Sequence, residues 1–334
     1  MTTTPRVSVV LPFRNAAATL DAALDSIAAQ TLRDWECLLI DDGSSDASAE
    51  MARARAATDA RWRLLRAGGG LVDALNRGIA AARAPLIARM DADDVSMPER
   101  LERQAAALDA DATLTVVSCL VEAFPAELVT DGMRRYLDWL NGLTTAAAIH
   151  DALFVESPIV HPSAMVRAEA LRAIGGYRAF DGPEDYDLWL RLLLSGGRAE
   201  KVPHMLLRWR ESPQRLSRVD PRCHRRRFLA TKLEHLPRVL RPGAAVQIWG
   251  AGPSGRLWAR ALADRAHPVR RFYDVAPRRW GRAIAGIPVH RPAAPNPGDG
   301  FLLIAAGTPG AREWITGWFA QHGLRPWEHY LAVA

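Results

Sequence analysis

Over the first 120 residues, short β-branched or leucine-rich runs alternate with alanine-rich helical stretches. That alternation restricts the chain to an α/β fold on a mostly parallel sheet. VSVVLPF at 7–13 reads as a strand, 19–29 carries Leu20, Leu24 and Ile27 at helical spacing, and ECLLI at 36–40 reads as the next strand. A helix is predicted over 46–57, a short strand over 62–65, a helix over 71–82 through Leu71, Leu75 and Ile79, and a strand over 86–90. Sheets of this kind place ligand-binding loops at the carboxyl ends of their strands.

Those ends are acidic or small. The first strand runs into Pro12, Phe13, Arg14 and Asn15, the second into Asp41, Asp42, Gly43 and Ser44, and LIARMDADD delivers Asp91, Asp93 and Asp94 within four residues. Neighbouring carboxylates oppose each other's ionisation, a cost that a bound Mg²⁺ or Mn²⁺ removes while it bridges phosphate oxygens. The same residues also suit a turn capping the next helix, with Ser96 at the cap and Pro98 and Glu99 in its first turn. Taken alone, the cluster does not decide between the two.

The chain has 334 residues, enough for one large or two medium domains, and its 49% hydrophobic and 24% charged residues are those of a globular protein. No window approaches 18 uninterrupted apolar residues, so a membrane span is not expected, and without a leader pattern the expected location is cytoplasmic. Cys37, Cys119 and Cys223 have no metal-ligand or disulfide spacing, and the first two lie in apolar strand-like runs as small core residues. Much of the net charge of +6 sits in RCHRRRF at 222–228, a solvated helix face or a peripheral contact with anionic lipid.

Between 121 and 183 the rhythm loosens around Pro125, Pro158, Pro162 and the Gly175–Gly176 pair, as an acceptor-facing insertion or ordinary loops would require. A helix is predicted over 184–194, burying Leu188, Trp189 and Leu192 with Glu184 and Asp185 in its first turn. After a basic helix over 223–240, Arg241, Pro242 and Gly243 read as a boundary. A second small α/β unit then begins with AVQIW, GAGPSG and a helix through Leu257 and Leu262.

Several side chains carry chemistry. Asp42 is placed to accept hydrogen bonds from a nucleoside, and Phe13 to cover a base face, although a turn needs Asp, Gly and Ser equally. Asp185 is the candidate general base; Glu184 beside it raises its pKa while the helix dipole lowers it. His161 follows an apolar stretch as a candidate ligand contact or a structural histidine. Gly250, Gly252 and Gly255 form GxGxxG between a strand and a helix, and Asp274 lies 24 residues beyond Gly250, where an acid meets a ribose. The same glycines also permit plain helix-on-strand packing. No Gly-x-Ser-x-Gly elbow or P-loop is present.

With VSVVLPFRN, QTLRDWECLLIDDGSSDAS, GGGLVDALNRGIAAARAPLIARMDADD, HPSAMVR and GPEDYDLWLRL in that order, residues 5–220 resemble the inverting GT-A glycosyltransferases of family 2. The resemblance implies a GT-A fold with a mostly parallel central sheet. It also implies a nucleotide-diphosphate sugar donor, a UDP-sugar for preference, and Mn²⁺ or Mg²⁺. On that pattern Pro12, Phe13 and Asn15 line the donor pocket, Asp42 binds base or ribose, Asp91 and Asp93 hold the metal, and Asp94 positions the donor sugar. Asp185 removes the proton from an acceptor hydroxyl as it attacks the anomeric carbon from the face opposite the diphosphate, inverting the configuration.

Two departures stand out. The QxxRW signature of processive synthases is absent, since QRLSR at 214–218 lacks the Trp, so single-sugar transfer is expected. The family's histidine after the base is also missing, and Arg210, Arg215 and Arg218, with His161 and Glu184, are candidate acceptor or phosphate contacts. The expected organisation is a catalytic domain over 1–240 and a Rossmann-like domain over 241–334. The expected activity is transfer to a glycan or lipid-linked acceptor in surface polysaccharide synthesis, with no nucleic-acid partner. A competing reading is an inactive or regulatory protein that binds a nucleotide or NAD(P) through 241–334.

Overall fold

A computed structural model describes residues 4–293, 297–308 and 310–334. It divides into two compact units, residues 1–150 with 158–228, and residues 151–157 with 229–334.

The first unit opens with the predicted alternation: β1 (Val7–Phe13), α1 (Leu20–Ala28), β2 (Trp35–Asp41), α2 (Ser48–Thr58), β3 (Trp62–Arg66), α3 (Leu71–Ala81) and β4 (Leu86–Arg89). β1 pairs in parallel with β2 and β4, and β2 with β3, so three acidic or polar strand ends emerge on one edge. Leu20, Leu24 and Ile27 recur on one face of α1 and are fully buried with Val7, Val9 and Leu11 of β1. Each such side chain contributes about 1.5–3 kcal/mol. On another face α3 lies so close to the sheet that a Cβ at Gly78 would stand 2.5 Å from a Val10 methyl.

Next come β5 (Val95–Ser96), α4 (Arg100–Ala110), β6 (Leu114–Phe124), α5 (Asp131–Gly142), α6 (Ala146–Ala152), β7 (Met165–Arg167), α7 (Ala168–Ala173), α8 (Glu184–Leu194), β8 (Arg198–Arg210), α9 (Leu216–Val219) and α10 (Arg225–His235). The sheet runs β3-β2-β1-β4-β7-β6-β8-β5. β7 is antiparallel to β4 and β6, and β5 to β8, while β6 and β8 are parallel.

Two expectations change. The stretch 121–183 holds regular elements, because its breakers end them: Pro125 follows β6, Pro162 sits in a single 3₁₀ turn, and Gly175 and Gly176 take positive φ after α7. Ser96 is not the cap of α4. It lies buried in β5, where its hydroxyl accepts from Gln30 Nε2 (3.1 Å), and α4 starts four residues later with no side-chain cap.

The second unit contains β9 (Val246–Trp249), α11 (Pro253–Ala263), β10 (Val269–Tyr273), β11 (Ala283–Ile284), β12 (Ile287–His290), β13 (Phe301–Ile304), α12 (Ala311–Gln321) and β14 (Tyr330–Ala332). Its sheet order is β11-β12-β10-β9-β13-β14, parallel except for β11. The division falls within α10, ahead of Arg241–Gly243, because the buried side of that helix belongs to the second unit: Lys232 Nζ donates to the carbonyls of Val155 (2.7 Å) and Val333 (3.3 Å). Among the described residues no helix is long and apolar enough to cross a membrane.

Candidate active site

The acid turn after β4 is the densest chemical feature. One carboxylate oxygen from each of Asp91, Asp93 and Asp94 lies within 4.8 Å of the other two. Three negative charges at that separation need a counter-charge. Burial, then the charge of Asp91, raises the Asp93 carboxyl to about 6. Asp94 is pushed up well beyond the ordinary carboxylate range by burial and by both neighbours.

Protein cations answer only part of this. Arg89 Nη2 donates to Asp91 Oδ1 (2.6 Å), the Arg210 backbone N–H donates to Asp94 Oδ1 (2.7 Å), and Arg210 Nε donates to the Asp93 carbonyl (2.6 Å). Asp94 Oδ2, on a residue 1% exposed, has no hydrogen-bond partner among the described residues. An orphaned buried carboxylate oxygen beside two further acids fits a hard divalent cation, which takes oxygen ligands.

The strand ends beside it are tied to one another. Asn15, at φ 51°, takes the N–H of Ser45 on its Oδ1 (2.8 Å) and gives its own N–H to Ser44 Oγ (3.1 Å). Asp42 Oδ1 accepts the N–H of Gly70 (3.0 Å), and Asp41 Oδ1 that of Ser44 (2.9 Å). Pro12 is buried, and the Phe13 ring is 3% exposed within the apolar core, so its packing rather than an open base platform accounts for its position.

At the start of α8, Asp185 Oδ1 accepts the N–H of Tyr186 (2.7 Å). Burial raises the Glu184 carboxyl, against its own backbone N–H and Arg222, whose guanidinium is 3.9 Å away. Arg89 and Asp91 act electrostatically on Glu184 as well, which places this helix start within reach of the acid turn's field. Two ion pairs on one carboxylate hold it: Asp187, fully buried, receives Arg191 Nε (2.7 Å) and Arg178, while Arg191 Nη2 donates to the Gly176 carbonyl (2.7 Å).

His161 lies in the core, the structural of its two expected readings. Its Nε2 shares a 2.6 Å hydrogen bond with Tyr177 Oη, Trp189 lies edge-on to its ring, and burial, with the Arg89 charge, keeps the imidazole well below its ordinary range and therefore neutral. The three arginines also have protein partners. Arg215 lies over the Trp209 ring at 3.5 Å and 3.6 Å from Glu211, Arg218 Nε donates to Glu211 Oε1 (2.8 Å), and Arg210 supports the acid turn.

In the second unit Gly250 has φ 110°, and a Cβ at Gly255 would stand 1.7 Å from the Gly250 carbonyl oxygen, so these two glycines serve the close turn and packing. A Cβ at Gly252 would meet nothing within 4 Å. Asp274 is engaged by the unit itself: Oδ2 takes the Ala251 N–H (2.8 Å) and Arg279 Nη1 (2.6 Å), and Oδ1 the Ala276 N–H (2.8 Å). Three of the carboxylate's acceptor positions are thus engaged within the unit's own loops.

Sequence reasoning missed four participants: the glycine loop whose Gly70 meets Asp42, Arg89, Asp187 and Glu211. Glu211 and Asp187 carried a local signal, their four-residue spacing to Arg215 and Arg191. Gly70 depends on a partner distant in the chain, and the role of Arg89 on its burial beside Asp91.

Residues 8–175 match the family model described as glycosyl transferase family 2. EpsE of Bacillus subtilis (strain 168) is 31% identical over 224 residues, covering 65% of this chain and 77% of EpsE. The solved S. aureus TarS 1–349 in complex with UDP-GlcNAc superposes with a TM-score of 0.57 at 16% identity, covering 71% of this chain and 67% of that one. The mannosyltransferase PcManGT of Pyrobaculum calidifontis, in complex with GDP-Man and Mn²⁺, gives 0.51 at 23% identity, covering 71% and 63%. The fold is thus that of GT-A glycosyltransferases. With half of its length, residues 8–175, matched by the family model, the chain belongs to glycosyl transferase family 2.

Proposed function

We propose that the first unit is a metal-dependent, inverting, non-processive transferase that moves a sugar from a nucleotide-diphosphate donor, a UDP-sugar for preference, to a hydroxyl of a glycan or lipid-linked acceptor in surface polysaccharide synthesis. The observation that carries this is the trio Asp91, Asp93 and Asp94 at a parallel strand end, with the buried Asp94 Oδ2 unpartnered among the described residues. UDP-GlcNAc in TarS and GDP-Man with Mn²⁺ in PcManGT are consistent with it.

Asp91 and Asp93 would hold Mn²⁺ or Mg²⁺, with Asp94 completing the donor side. When bound, the ion supplies charge stabilisation for the leaving diphosphate. Asn15 and Asp42 would order the loops around the nucleoside, and Pro12 and Phe13 would back them. Asp185 would accept the acceptor's hydroxyl proton, making a weak alcohol nucleophile competent. Glu184 with Arg222 would lie beside that reaction, and Arg215 and Arg218 would supply positive charge for the phosphates. A helix start pinned through Asp187 gives the base a fixed position.

For the second unit we propose a structural role, supported by Asp274 spending its carboxylate on its own loop. The exposed Arg225 and Arg226 are the residues of 222–228 best placed for peripheral contact with anionic lipid, since Arg222 and Arg227 pair with Asp220 and Asp181.

The test is a thermal-shift screen of nucleotide-sugars with and without Mn²⁺, with nicotinamide dinucleotides alongside. Stabilisation by one donor only when Mn²⁺ is present supports the assignment. Stabilisation by a nicotinamide dinucleotide alone would favour the regulatory reading.

A further inference from the structure

The acid turn is held from outside its own strand by one residue in particular. Arg210, the last residue of β8, gives its backbone N–H to Asp94 Oδ1 (2.7 Å) and its Nε to the Asp93 carbonyl (2.6 Å), across more than a hundred residues of sequence. Its guanidinium lies 4.4 Å over the Phe124 ring of β6, which limits its rotamer. The Asp94 N–H···Asp91 carbonyl contact is long at 3.5 Å, so the turn's internal bonding is weak. Side-chain geometry in a three-acid turn without strong internal bonds is set by what grips it externally.

We propose that Arg210 is a positioning residue for the divalent cation. It fixes the peptide between Asp93 and Asp94, so that both carboxylates converge with Asp91, and does not itself touch sugar or phosphate. This deepens the metal-site reading and rests on it. The nearby Arg208 supplies an internal comparison. Its guanidinium lies over the same Phe124 ring, also at 4.4 Å, yet no hydrogen bond joins it to the acid turn among the described residues.

The experiment compares the parent, R210Q and R208Q as full chains, titrating Mn²⁺ in the presence of UDP or GDP and following free Mn²⁺ by electron paramagnetic resonance, with a melting curve for each. Loss of an outer-shell partner weakens metal affinity by about 10–100-fold. The expected result is an increase of about tenfold or more in the Mn²⁺ dissociation constant for R210Q, little change for R208Q, and partial recovery in R210K, whose ammonium can still reach a carbonyl. Unchanged Mn²⁺ affinity in R210Q, or equal losses in R210Q and R208Q, would reduce Arg210 to packing on Phe124 and overturn the proposal alone. A parent that takes up no Mn²⁺ with either nucleotide would overturn the metal-site reading and this proposal together.

Discussion

Asp93→Asn has opposite consequences for stability and for activity, and the structure sets the scale of the first. Asp93 faces Asp91 and Asp94 with carboxylate oxygens within 4.8 Å. At an effective dielectric constant of 20, each such repulsion is worth about 3.5 kcal/mol. Burial is the larger cost and the Asp91 charge the second; the Asp93 N–H, Arg215 and Arg210 offset part of them, and what survives is a carboxyl raised to about 6 from 3.8. Taken at face value that shift is about 3 kcal/mol, which partial exposure and relaxation reduce to about 1–2 kcal/mol.

The sign follows from linkage. A folded-state value above the unfolded one disfavours the ionised native state. The cost is therefore fully present above about pH 6 and absent below 3.8. In EDTA at pH 7.5, D93N should melt about 2–8 °C above the parent, given about 2–4 °C per kcal/mol for a domain of this size. At pH 5 the gain should fall to roughly half. With Mn²⁺ and donor, the same variant should lose turnover and the ligand-induced rise in melting temperature. A lower melting temperature for D93N in EDTA at pH 7.5 would refute the reasoning, because the carboxylate would then be stabilising the fold.

Asp185→Asn should lower transfer by about 10²–10⁴-fold while leaving Mn²⁺-dependent donor binding intact, and normal transfer would exclude Asp185 as the base. Gly255→Ala places a methyl 1.7 Å from the Gly250 carbonyl oxygen and should destabilise the second unit by at least about 2 kcal/mol, read as lost hydrogen-exchange protection in β9 and α11. Lys201 is buried with its Nζ donating to the Leu140 carbonyl, and burial lowers it to about 7. Its folded-state value lies below the unfolded one, so the penalty is full below pH 7 and is relieved as the pH climbs toward 10.5. The melting temperature of Lys201→Met minus that of the parent should therefore be larger at pH 6 than at pH 9.5, and a pH-independent difference would rule out the buried ammonium as its source.

The elements around the site were legible because their signals are local. Alternating apolar runs marked β1, β2 and β4, helical spacing marked α1 and α3, and the acids sat at strand ends where a parallel sheet gathers them. Of β6 only the apolar run around Cys119 read as strand-like and β8 did not, since their residues become a recognisable pair only once they lie side by side. The boundary in α10 and the transfer of 151–157 to the second unit were invisible for a related reason: hydrogen bonds from Lys232 to Val155 and Val333 join segments far apart in sequence.

By itself the sequence singled out the candidate residues, the acids at 42, 91, 93, 94 and 185 and the glycines at 250, 252 and 255, and the order in which strands bring them forward. Only the tertiary structure decided what each is free to do. It removed His161 to the core, committed Asp274 to its own loop, denied Ser96 its cap, and set Arg210 against the peptide it grips from more than a hundred residues away. Composition and spacing fix the kind of group at each position, but a carboxylate or guanidinium is available to a ligand only if burial and distant partners leave it so.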